Sequence, residues 1–79
     1  MRKTIYDPRY ERMISALRQR RRELGMSQEV VARHLGVSRS WVSKVEDGQR
    51  RLDILEVIDL CLLYRIDPVE VTRDLGKRP

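Results

Sequence analysis

The sequence predicts an all-α fold of five short helices in one domain. Three observations carry that prediction. Apolar residues recur at three- and four-residue spacings, Ser or Asp residues able to cap a helix precede successive periodic segments, and two of those segments flank the short turn Gly36-Val37-Ser38. The length of 79 residues suits one domain with a small core, because a chain this short buries only about 60% of its unfolded surface.

Met1 to Tyr6 shows no period, so residues 1–7 read as an N-terminal arm, loosely held as termini usually are. The folded domain is expected over residues 8–75, with a tail at 76–79. Asp7-Pro8 opens the first helix, with Asp as cap and Pro at the first helical position. Tyr10, Ile14, Leu17, Arg21 and Leu24 then form a core-facing stripe with one charged member, and the helix is expected to run to Leu24. Arg21 either meets a carboxylate or carbonyls within the fold or lies over the core with its head in water.

The second and third helices are the most informative part of the chain. Ser27 caps the second, and Val31, Ala32 and Leu35 give it one apolar face. Gly36 stands where the chain must stop and reverse, Ala32 is small where two helix axes would cross, and Val37 can seal the turn. Ser38 caps the third helix, Val42 and Val45 form its inner face, and Asp47-Gly48 ends it.

Gln49-Arg50-Arg51 reads as a loop, and Asp53-x-x-Glu56 is a capping-box pattern that opens the fourth helix. Val57, Leu60, Cys61 and Tyr64 form one face of that helix, while Leu55, Ile58 and Leu62 form another. A helix apolar on two faces must be covered twice. The second cover is expected to be another copy of the chain, or else helices one and five wrap further round it. Asp67-Pro68-Val69-Glu70 opens a short fifth helix ending near Leu75-Gly76, with Val69 and Val71 either extending that interface or closing the core.

Lys and Arg number 17 against 12 Asp and Glu, for a net charge of +5 and a pI near 10.0. The excess is uneven. Residues 1–26 carry 8 basic and 3 acidic side chains, residues 27–52 carry 5 and 3, and residues 53–79 carry 4 and 6. A basic front and an acidic back suit a polyanionic partner on one side only. The single cysteine, Cys61, reads as a core residue and fits a reducing compartment. Neither a signal-peptide apolar region nor a membrane span is visible, so a soluble cytoplasmic protein is expected. One histidine, His34, and one cysteine cannot build a four-ligand metal site, and no nucleophile or phosphate-binding loop accompanies them. An enzyme, a cofactor and a small-molecule substrate are accordingly not expected.

Leu17, Arg21, Leu24-Gly25, Ser27-Gln28, Ala32, Gly36-Val37-Ser38, Val42, Val45-Glu46 and Gly48 stand in the order and spacing of one known family. Over Ile14 to Val71 the chain resembles the Cro/phage-repressor (XRE) type of helix-turn-helix DNA-binding protein. The resemblance implies a lambda-repressor-like five-helix domain, with the helix-turn-helix at helices two and three. It also implies an ion pair between Arg21 and Glu46.

In such a domain the second motif helix presents its first residues to base edges in the major groove. By resemblance, Arg39 and Ser40 fall on the leading base-reading positions, and Lys44 reaches the same groove one turn later. Gln28 is expected to bridge to phosphate or to the third helix and Ser38 to position the motif, with Ser43 either at DNA or solvated. Arg50 and Arg51 follow the reading helix and are expected at phosphates, while Arg20 and Arg22 touch phosphate or only water. Arg2 and Lys3 in the arm read either as loose or as backbone contacts. Trp41 either packs at the groove wall or covers the rim of the core.

The function these features imply is a sequence-specific regulator binding double-stranded DNA, a repressor or autoregulator. It is expected to read a palindrome as a homodimer through Leu55, Ile58, Leu62 and Val69. A prophage repressor, a controller of a restriction-modification operon and an antitoxin all fit. The alternative is a protein-interaction module whose apolar fourth helix binds a toxin or another regulator, with DNA binding secondary.

Overall fold

A computed structural model describes residues 7–76 and is all-helical among them. The expectations for the arm at 1–6, Arg2 and Lys3 included, and for the tail at 77–79 lie outside those residues. The elements are α1 (Pro8–Glu23), α2 (Gln28–Leu35), α3 (Arg39–Glu46), α4 (Ile54–Tyr64) and α5 (Pro68–Thr72), followed by a 3₁₀ turn (Arg73–Gly76).

Each helix begins where a short polar side chain satisfies a backbone N–H that has no partner within the helix. Asp7 accepts from the Arg9 N–H, Ser27 from Val30, Ser38 from Trp41, Asp53 from Glu56 and Asp67 from Val69. The Asp53 cap is reciprocated, since the Glu56 carboxylate accepts from the Asp53 N–H at 2.9 Å. Asp7 is buried and bidentate to Arg9 through Nε and Nη2, so it belongs to the folded body and not to the arm expected over 1–7.

Gly36 ends α2 with φ 70°, and its neighbour Val37 donates back to the Ala32 carbonyl at 3.0 Å. That reversal needs a left-handed residue, which glycine adopts without a Cβ penalty. Arg65 ends α4 in the same region, at φ 53°, as the one such residue other than glycine among those described.

The core gathers one face from every helix. Tyr10, Met13, Ile14 and Leu17 come from α1, Val31 and Ala32 from α2, Val42 and Val45 from α3, Val57, Leu60, Cys61 and Tyr64 from α4, and Val71 from α5. Leu52, in the loop after α3, completes it. Two details differ from the expected α1 stripe. Leu24 is 37% exposed, because the helix stops at Glu23 and the fifth position of the stripe falls in the turn, where Met26 packs on the core instead. Met13, three residues after Tyr10 and four before Leu17, is buried.

Side chains of α1 also tie the far end of the domain to it. Arg12 meets Asp74 at 3.1 Å, and Arg9 donates to the Leu75 carbonyl at 3.4 Å. Arg20, expected at phosphate or water, instead donates through Nε to the Tyr64 carbonyl at 2.9 Å and through Nη2 to the Arg65 carbonyl at 3.4 Å. A guanidinium there satisfies the last carbonyls of α4 and complements the negative end of its dipole.

The Tyr10 hydroxyl accepts from the buried Leu52 N–H at 2.9 Å, linking α1 to the loop between α3 and α4. Tyr10→Phe removes that acceptor and leaves a buried donor unpaired. The expected cost is about 1–3 kcal/mol, read as a lower urea midpoint with an unchanged slope. An unchanged midpoint would show that water replaces the phenol.

Candidate nucleic-acid interface

The α2–turn–α3 unit divides its side chains sharply by direction. Val31, Ala32, Val42 and Val45 face inward and are buried. Arg39, Ser40 and Lys44 lie on the solvent side of α3, all exposed, with Ser43 half-buried beside them. The three residues expected to read bases therefore share one exposed surface at the start and middle of a two-turn helix.

What fixes that helix is the carboxylate at its last position. Arg21 donates to Glu46 through Nε at 2.6 Å and Nη2 at 2.9 Å, and its Nη1 donates to the Met26 carbonyl at 2.8 Å. Gln28 donates its amide to Glu46 Oε1 at 2.9 Å, and Arg18 Nε stands 3.9 Å from the same oxygen. The side chains of Arg21 and Glu46 are 10% and 7% exposed. Hydrogen bonds to Glu46 raise the affinity of the Arg21 guanidinium for its proton against the opposing effect of burial. On the core side, burial pushes the Tyr64 phenol up to about 12, with the Glu46 charge adding to the effect and Arg21 opposing it.

Gln28 is thereby committed to α3: its amide bridges the start of α2 to the end of α3. Ser38 is committed through its hydroxyl, which caps α3 by accepting from Trp41 at 3.1 Å. Trp41 is half-buried and packs against the core, and the Arg50 guanidinium lies 4.9 Å from the centre of its ring.

Arg50, expected to approach phosphate, is engaged within the fold. Its Nη1 and Nη2 donate to the two oxygens of Glu56 at 3.1 and 3.2 Å, and Nη1 also donates to the Arg51 carbonyl at 3.2 Å. The Arg50 guanidinium, and then the Asp53 N–H, hold the Glu56 carboxyl below the usual carboxylate range. Arg51 is exposed on the same loop. Spacing along the sequence shows that Glu56 caps α4 but not that it reaches back to Arg50, since six residues of loop and helix must first fold.

The outer face of α4 carries Leu55 and Leu62, 71% and 70% exposed, with Ile58 half-buried between them. Val69 on α5 is 63% exposed, whereas Val71 closes the core. Ile54, 66% exposed, joins this apolar surface. It escapes a reading of the stripe that starts at Leu55, although it stands four residues before Ile58. Among the described residues no group of three His, Cys, Asp or Glu side chains could hold a metal ion, and no helix is long and apolar enough to cross a membrane.

The model of the helix-turn-helix domain family matches residues 15–73. No curated protein and no solved structure gives a significant match.

Replacing Glu46 by Ala would leave the Arg21 guanidinium buried without its carboxylate and take from Gln28 its acceptor. The expected loss is about 3–5 kcal/mol, the cost of breaking a buried pair. Replacing both partners by apolar residues, Arg21→Met with Glu46→Leu, is expected to recover most of that loss in the same denaturation series. A loss below about 1 kcal/mol for Glu46→Ala, the range of exposed pairs, would contradict the burial argument.

Proposed function

The chain belongs to the helix-turn-helix domain family, whose model spans residues 15–73, and from that premise we propose that it is a sequence-specific regulator of transcription that binds double-stranded DNA. The observation that carries this reading is the exposed trio Arg39, Ser40 and Lys44 on a helix whose other side is locked into the core. A helix of this diameter enters the major groove, where each base pair presents its own pattern of donors and acceptors. Arg39 is the guanine reader, its guanidinium matching O6 and N7 in a bidentate pair; Ser40 and Lys44 read neighbouring edges. The start of α2 and the half-buried Ser43 contact the backbone, with Arg51 on the flanking loop.

The active form is a homodimer joined through Leu55, Ile58, Leu62 and Val69, together with Ile54. Support for it comes from Ile54, Leu55, Leu62 and Val69, four large apolar side chains that the chain's own helices leave 66%, 71%, 70% and 63% exposed. A two-fold dimer reads a palindrome, and a regulator bound there represses by occupying the site. The same apolar surface also supports a second reading, in which it takes a toxin or another regulator.

Selection of bound duplexes from a random pool tests the main reading. The expected product is a palindrome with half-site centres about 34–36 Å apart, containing a guanine whose preference Arg39→Ala relaxes by about 1–3 kcal/mol. Salt-sensitive binding with no enrichment would defeat sequence-specific recognition. For the dimer, Leu55→Asp with Leu62→Asp changes two exposed positions and spares the core. Sedimentation is expected to give a folded monomer with weakened operator binding, and a dimer of unchanged affinity would rule this interface out.

A further inference from the structure

Arg50 follows the reading helix by only four residues, in a loop where basic residues would meet the DNA backbone. Four contacts hold it elsewhere, one of them the Nη1 bond to the Arg51 carbonyl at 3.2 Å. Its two terminal nitrogens match the two oxygens of Glu56 at 3.1 and 3.2 Å, and its face lies over the Trp41 ring at 4.9 Å. The carboxylate is itself fixed in advance, because Glu56 Oε1 accepts from the Asp53 N–H at 2.9 Å in the capping box of α4.

We propose that Glu56 serves as a built-in substitute for a DNA phosphate, which keeps Arg50 from the backbone and makes it a positioning residue for the α3–α4 loop. The inference rests on the DNA-binding reading above. A planar carboxylate and a tetrahedral phosphodiester each offer a guanidinium two anionic oxygens for a bidentate pair. If Arg50 left for the backbone, Glu56 would remain as an unneutralised anion beside a polyanion. The pair therefore approaches DNA as a neutral unit, stacked on Trp41. One consequence is weaker binding to arbitrary sequence: a cation withheld from phosphate removes about 0.9 from the slope of log Kobs against log salt. The base-reading contacts of Arg39, Ser40 and Lys44 are not reduced with it, and because a phosphate contact serves every sequence alike, operator and arbitrary duplex lose the same increment.

The test is the salt dependence of binding to a random-sequence duplex by the full chain, Glu56→Gln, and the double variant Arg50→Gln with Glu56→Gln. Glutamine keeps an oxygen for the Asp53 N–H, as it does in capping boxes generally, so Glu56→Gln cuts the charge and spares the helix start; circular dichroism verifies this. Glu56→Gln is expected to steepen the slope by about 0.9 per chain as Arg50 is released to phosphate. The double variant, which removes one charge of each sign, is expected to keep the slope of the unmodified chain.

A double variant whose slope is flatter by about 0.9 would overturn the proposal, because Arg50 would then already be on the backbone. Unchanged binding by Glu56→Gln would overturn it as well. Absence of salt-dependent binding by the unmodified chain would instead remove the DNA-binding reading, and the withholding of Arg50 with it.

Discussion

A carboxylate at the C-terminal end of a helix meets the negative end of the dipole and is disfavoured there unless cations or donors surround it. Glu46 occupies such a position on α3, is almost shielded from water, and is surrounded in this way by Arg21, Gln28 and, further off, Arg18. Because Arg21 stands on α1 and Gln28 on α2, this one group fixes α3 against both. Arg21 also holds the Met26 carbonyl, so the turn between α1 and α2 is tied to the same point. These bonds act together with the two buried valines, Val42 and Val45, to fix which side of α3 faces solvent.

The arginines of this chain do different work, which their number does not show. Arg9 and Arg12 fasten α1 to the C-terminal turn, Arg20 closes the end of α4, Arg21 serves the buried carboxylate of Glu46 and Arg50 the half-buried one of Glu56. Net charge alone overstates how much of that basicity faces outward. Arg39 and Lys44 on α3 are exposed, whereas Arg9, Arg12, Arg20, Arg21 and Arg50 are engaged with carbonyls or carboxylates inside the domain.

Helix starts were legible in the sequence because capping is local: Asp7, Ser27, Ser38, Asp53 and Asp67 each act on a backbone N–H two or three residues away. The turn at Gly36 and the two-faced character of α4 were legible for the same reason. The partners of long cationic side chains were not. Arg20 reaches a carbonyl 44 residues away, and the Tyr10 hydroxyl serves a backbone group 42 residues away, so both depend on how the helices are assembled. Arg50 could be read as basic and near the reading helix, but the rotamer that turns it toward Glu56 and Trp41 is set by the folded loop. The resemblance supplied the Arg21–Glu46 pair; periodicity alone showed only that Arg21 lay on a buried stripe.

The separation of duties on α3 has an evolutionary consequence. The residues that hold this helix in place are Ser38, Val42, Val45 and Glu46, whereas positions 39, 40 and 44 are exposed. Exchange of those three side chains leaves the cap, the inward face and the buried carboxylate untouched. Under the reading advanced above, a descendant of this chain is therefore free to drift toward a new target without passing through an unfolded intermediate. The scaffold and the address it carries are inherited together but can change at different rates.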